Sequence, residues 1–88
     1  MDGASIQQLR QKLNLNQVQF AQLLGVHPIT VSKWERGEAD PTPYQTVLMQ
    51  HFKKAATDKE TREAVGHLLV GMGVGVALAL LLKHLNEK

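Results

Sequence analysis

From Ala64 to Leu82 the chain runs for 19 residues without one Asp, Glu, Lys or Arg. As a single α-helix this stretch would be roughly 29 Å long, close to the roughly 30 Å hydrocarbon thickness of a bilayer. A helix that is apolar on every side must be covered on every side. In a chain of 88 residues there is little other body to cover it. Arg62 and Glu63 stand at one end of the run, and Lys83, His84, Glu87 and Lys88 at the other. Gly71 and Gly75 have the G-x-x-x-G spacing that lets two helices approach closely, which marks them as candidate self-association residues. Three readings follow. The run is a membrane anchor at the inner membrane with the N-terminal part in the cytosol, or a soluble dimerisation helix. Alternatively it breaks at its glycines into two pieces that fold back on the rest. His67 inside the run, its four glycines and the lack of Trp or Tyr at either end count against a membrane span. The first two readings both imply self-association.

Ahead of this run the pattern is amphipathic and helical throughout. Ser5 with Gln8 has capping-box spacing, and Ile6, Leu9 and Leu13 follow at helical steps. Asn16 with Gln19 repeats the spacing before Val18, Phe20, Ala21, Leu23 and Leu24, and Gly25 stops that helix. Pro28 suits the first turn of a third helix with His27 as its cap, and Gly37 ends it. Thr42, Pro43 and Gln45 open a fourth helix to about Ala55. Thr57 with Glu60 opens a last helix that runs to about Leu85. No strand pattern competes. The fold class is all-α, a bundle of four or five helices with a C-terminal apolar, Gly-rich helix. The boundary falls near Thr57, giving residues 1–57 as one unit and 58–88 as the other.

Composition removes several function classes. The sequence has no cysteine, which excludes a disulfide scaffold and a Cys-ligated metal site. The histidines at 27, 51, 67 and 84 are too scattered in sequence to suggest a metal site, and nothing calls for a cofactor. No phosphate-cradling glycine loop, paired carboxylates or positioned nucleophile indicates an enzyme. The first 20 residues are polar and resemble no secretory leader, so a cytoplasmic place is expected for the N-terminal part. Net charge is +2, and all of it lies in residues 1–57, where six Lys/Arg face four Asp/Glu. That bias is compatible with a nucleic-acid partner without identifying one.

The segment from Asn16 to Gly37 carries the functional signal. Small Ala21 lets the next helix cross closely, Gly25 supplies a turn at positive φ, and Val26, Val31 and Trp34 form the inward side. What remains outward is His27, Pro28, Ile29, Ser32, Lys33 and Arg36, a short polar face able to enter the major groove of DNA. The Phe-Ala-x-x-Leu-Gly-Val spacing and the Val-Ser-Lys-Trp-Glu-Arg-Gly run resemble the lambda repressor and Cro-type helix-turn-helix family, also called the XRE family, over about residues 5–56. The resemblance implies double-stranded DNA as partner and a homodimer as the binding form, here through the C-terminal helix. It implies a sequence-specific transcriptional regulator, a repressor in most readings. It places Gln17 on a DNA phosphate with Asn16 beside it, Pro28, Ile29 and Lys33 at base edges with Ser32 next to them, and Arg36 near a phosphate. It also implies a buried, structural ion pair between Arg10 and Glu35.

Two departures keep a second function open. Pro28 stands where relatives often carry a hydrogen-bonding side chain, so that base contact is apolar, of the kind a thymine methyl accepts. The loop after the third helix reads Gly37-Glu38-Ala39-Asp40, and its two carboxylates oppose a DNA backbone. The alternative is a membrane-tethered or protein-interaction module that keeps the fold and has lost DNA binding. For His27 a capping role competes with base reading. Trp34 reads as core, and Lys53 and Lys54 as solvated charges.

Overall fold

A computed structural model describes residues 1–83. These residues form six helices: α1 (Gly3–Lys12), α2 (Gln17–Leu24), α3 (Pro28–Glu35), α4 (Pro43–Ala55), α5 (Lys59–Gly71) and α6 (Val74–Leu82). Local chemistry sets most of their ends. Asn16 accepts from the Gln19 amide N–H at 2.8 Å while the Gln19 side chain accepts from the Asn16 N–H at 3.0 Å, closing both halves of the box. Thr42 and Gln45 do the same for α4, with Pro43 in the first turn. Gly25 ends α2 at φ 67°, a conformation that penalises a side chain.

Two starts differ from the expected ones. Asp2, not Ser5, caps α1: its carboxylate accepts from the Ser5 N–H at 2.8 Å. A carboxylate there also faces the positive end of the helix dipole. The Ser5 N–H bond holds the Asp2 carboxyl below its ordinary range. Asp58, not Thr57, caps α5, accepting from the Glu60 N–H at 3.0 Å and from the Thr61 hydroxyl at 3.1 Å. Thr57 instead turns back and donates to the Lys54 carbonyl at 2.7 Å.

The larger correction is in the uncharged run, which does not form one helix. Met72 leaves the helical region at φ −121° and Gly73 sits at φ 98°. The Met72 and Gly73 N–H groups both bond to the Leu68 carbonyl, which closes α5 before α6 begins. Of the three readings, the break and fold-back is the observed one. Among the described residues no helix is long and apolar enough to cross a membrane, so the expected anchor is not found. Gly71 and Gly75 fall on different helices across the break and so do not share one helical face. The expected end near Leu85 lies outside the described residues.

The folded-back pieces complete the core. Val65 and Leu69 of α5 and Ala77 and Leu81 of α6 are buried in the same cluster as Ile6, Leu13, Phe20, Val31, Trp34, Met49 and Phe52. Helix α6 packs on α5, α4 and α2, while α1 packs on α3 and α4. The outer side of the α5–α6 corner stays apolar and open, with Val70 78%, Met72 68% and Val76 40% exposed.

Of the glycines, Gly3 alone sits where another element comes close. The first turn of α1 meets the last carbonyls of α3, and a Cβ at Gly3 would lie 2.6 Å from the oxygens of Trp34 and Glu35. Backbone cannot yield there as a flexible side chain could. A Cβ at Gly66, in the middle of α5, meets nothing within 4 Å. Gly3→Ala is therefore expected to destabilise by about 1–3 kcal/mol, and Gly66→Ala to stabilise by about 0.5–1 kcal/mol. Chemical denaturation of the two variants checks both signs.

Candidate nucleic-acid interface

Helix α3 is held by its inner side. Val31 is 0% and Trp34 2% exposed, and both lie in the core. The opposite side follows helical spacing from Ile29 through Ser32 and Lys33 to Arg36. Ile29, Lys33 and Arg36 are exposed, while Pro28 and Ser32 are half-buried. His27 is exposed and serves as the cap of α3, its Nδ1 accepting from the Ile29 N–H at 3.1 Å. That bond occupies one ring nitrogen and leaves only Nε2 for another partner. At the start of α2, Asn16 is exposed and Gln17 half-buried. The outward residues of α3 thus form one stripe, and Gln17 at the start of α2 is tied by its side chain to Glu35 at the end of α3.

The link between the two is a side-chain network. Arg10 donates from Nε to Glu35 Oε2 at 2.7 Å and from Nη2 to Glu35 Oε1 at 3.0 Å. The third guanidinium nitrogen, Nη1, donates to the Leu15 carbonyl at 3.0 Å. Gln17 Nε2 donates to Glu35 Oε1 at 3.2 Å. The Arg10 and Glu35 side chains are only 13% and 6% exposed, so this bidentate pair is largely desolvated. The hydrogen bond to Glu35 raises the Arg10 pKa, with the carboxylate's charge adding to it and burial working against it. The guanidinium consequently stays charged at any pH the fold meets. Spacing alone did not reveal that Gln17 and Leu15 join the pair.

Arg36 is also engaged. Its Nε lies 2.6 Å from Glu38 Oε2, and both side chains are 56% exposed. Glu38 is further fixed by its backbone N–H, which donates to the Lys33 carbonyl at 2.8 Å. The acidic loop therefore acts first on Arg36, as an internal counter-ion.

A separate cleft of about 650 Å³ lies between Lys12, Asn14 and Gln19 on one side and Arg62, Glu63, Gly66 and His67 on the other. It shares no residue with the stripe or the ion-pair network. Among the described residues no group of three His, Asp or Glu could hold a metal ion.

A family model described as Helix-turn-helix matches residues 6–44. That span reaches from Ile6 in α1 to Tyr44 in the first turn of α4, and contains Arg10, Gln17, Glu35 and the whole α2–α3 corner. Over residues 6–44 the chain is thus similar to helix-turn-helix domains of the lambda repressor/Cro type. Helix-turn-helix domains of this family are DNA-binding regulatory units and are not typically enzymes. No curated protein and no solved structure matches the chain. Helices α5 and α6 lie beyond the matched helix-turn-helix span, although they share its core.

The ion pair sets a stability expectation. Glu35→Ala leaves Arg10 charged and largely buried with only the Leu15 carbonyl for a partner, and should destabilise by about 3–5 kcal/mol. Replacing both partners with methionine removes the stranded charge and should fall much closer to wild type. Melting temperatures of the single and double variants measure the difference.

Proposed function

We propose that this chain is a sequence-specific DNA-binding transcription regulator that acts in the cytoplasm as a dimeric repressor by occupying its operator. The observation that carries the reading is α3, buried through Val31 and Trp34 with Ile29, Lys33 and Arg36 left outward on one stripe. In this reading α3 lies in the major groove. Lys33 is the only long donor near the middle of the helix and reaches a guanine or an adjacent phosphate. Ile29 and Pro28 offer apolar contact to thymine methyls, with Ser32 beside them. His27 keeps its capping bond and offers only Nε2. Gln17 and Asn16 meet a phosphate across the corner, and Arg36 meets another after leaving Glu38.

The dimer is part of the same reading. Residues 1–57 carry the DNA contacts, and residues 58–88 supply the self-association surface. The exposed apolar side around Val70, Gly71, Met72, Gly75 and Val76 supports this, because it carries no charge to keep a second copy away. Two copies related by a two-fold axis would place two α3 helices on successive half-sites. A second reading, an interaction module without DNA binding, is favoured by the Arg36–Glu38 pair, which neutralises one of the few cations on the stripe.

Gel shift of the full chain against random duplex at low salt, followed by operator selection, tests the reading. Absence of any shifted complex at low salt would leave the interaction module. Light scattering of the same sample gives the oligomeric state, and a monomer at micromolar concentration would remove the dimer.

Two variants sharpen the test. Lys33→Ala should relax selectivity at one base pair, by about 1–3 kcal/mol if its contact is to a base; a selected operator identical to that of the wild type would refute the assignment. Glu38→Gln should release Arg36 and tighten duplex binding by up to roughly fivefold, the scale of an exposed ion pair. Its melting temperature should fall by no more than about 5 °C, the same scale applied to a domain of this size. Unchanged affinity would show that Arg36 does not face DNA.

A further inference from the structure

We infer that Glu35 is a positioning residue for the DNA backbone: through Gln17 Nε2 it fixes the amide at the start of α2 so that its remaining groups address a phosphate. The inference rests on the DNA-binding reading above and assigns Glu35 a part in it beyond holding the fold, with Arg10 needed only to neutralise its charge.

Chemistry fixes the orientation of the amide. A carboxylate can only accept, so the Gln17 atom 3.2 Å from Glu35 Oε1 is the nitrogen. One N–H is used in that bond. The second N–H stays available as a donor, and phosphate oxygens accept only. A glutamine at the first position of an exposed helix end would otherwise sample many rotamers and lose that freedom on binding. Here Gln17 is half-buried and tethered at its far end before any DNA arrives.

Electrostatics raises an objection that the structure itself answers. A carboxylate behind a phosphate contact would repel the phosphate. Arg10 covers both Glu35 oxygens, at 2.7 and 3.0 Å, so the mount as a whole is neutral. The same guanidinium holds the Leu15 carbonyl at 3.0 Å, two residues before Gln17. Both the side chain of Gln17 and the backbone leading into it are therefore referenced to one group. Glu35 is the last residue of α3. The phosphate contact of α2 is thus registered directly to the helix that enters the groove, and a shift of one displaces the other.

Four full-length variants separate this role from a purely structural one. Arg10→Met/Glu35→Gln and Arg10→Met/Glu35→Met lose the arginine bonds alike, but only the first keeps an oxygen to accept from Gln17. Gln17→Met leaves the ion pair untouched, and the fourth variant combines it with Arg10→Met/Glu35→Met. Each is titrated with the selected operator and with random duplex, alongside a thermal melt. Arg10→Met/Glu35→Gln is expected to bind within about twofold of wild type. The other three should each bind about tenfold more weakly on every duplex, the loss of one hydrogen bond to a charged group. The combined variant should lose no more than Gln17→Met alone. Equal affinities for the two paired variants, or additive losses in the combined one, would overturn the positioning role while leaving DNA binding intact. Side-chain amide resonances of Gln17 in the free protein add a readout without DNA. They should mark an ordered amide in wild type and in Arg10→Met/Glu35→Gln, and a freely rotating one in Arg10→Met/Glu35→Met. A freely rotating amide in wild type would also overturn the inference. A wild type that binds no duplex would instead remove the functional reading on which it rests.

Discussion

The Glu35 carboxylate receives three hydrogen bonds from two other parts of the chain while only 6% of its side chain meets solvent. Apolar burial draws α1, α2 and α3 together, but it is non-directional and leaves their relative angles soft. The carboxylate supplies direction. Its bidentate pairing with Arg10 fixes α1 against the end of α3, and Gln17 ties the start of α2 to the same point. Close by, the absent Cβ of Gly3 lets the first turn of α1 settle on the Trp34 and Glu35 carbonyls. The outward stripe of α3 is held at both ends of its helix: by the His27 cap at the start and by this network at the finish.

The helix-turn-helix match ends at Tyr44, yet the hydrophobic support of that unit does not. Met49 and Phe52 of α4 are fully buried, and Val65, Leu69, Ala77 and Leu81 belong to the same cluster. Each fully buried Val, Leu or Phe side chain contributes roughly 1.5–3 kcal/mol of transfer free energy. The apolar C-terminal pieces are thus a wall of the domain. Their two sides divide the work: Ala77 and Leu81 point inward, and Val70, Met72 and Val76 remain open.

Much of the fold could be read from the sequence because its signals are local. The reciprocal caps at Asn16–Gln19 and Thr42–Gln45 act within four residues, and so do Pro28, Pro43 and the turn at Gly25. The all-helical class and the α2–α3 corner followed from them. What escaped depended on partners distant in sequence, or on a choice among equivalents. Gly3 looks like any N-terminal glycine until α3 is placed over it. Four glycines interrupt the uncharged run, and sequence does not say that Gly73 alone takes positive φ. Asp2 and Asp58 displaced Ser5 and Thr57 as caps because a carboxylate was available a few residues earlier or one residue later. In the candidate interface, the outward stripe was legible from helical spacing. The Gln17–Glu35 bond and the Arg36–Glu38 pair were not, since both depend on side-chain direction in three dimensions.

The placement of α6 against α2 also governs the order in which the chain can assemble. The nearest ends of these helices, Leu24 and Val74, are 50 positions apart in sequence. The α2–α3 corner joins neighbours and closes a short loop, whereas the α2–α6 contact closes a long one and bears a larger entropic penalty before any contact offsets it. During synthesis α3 leaves the ribosome well before the segment that seals the core beneath it. Until Ala77 and Leu81 arrive, the apolar sides of α2 and α4 face water. A nascent helix-turn-helix of this design is therefore exposed to chaperones, proteases and sister chains for as long as α6 is missing.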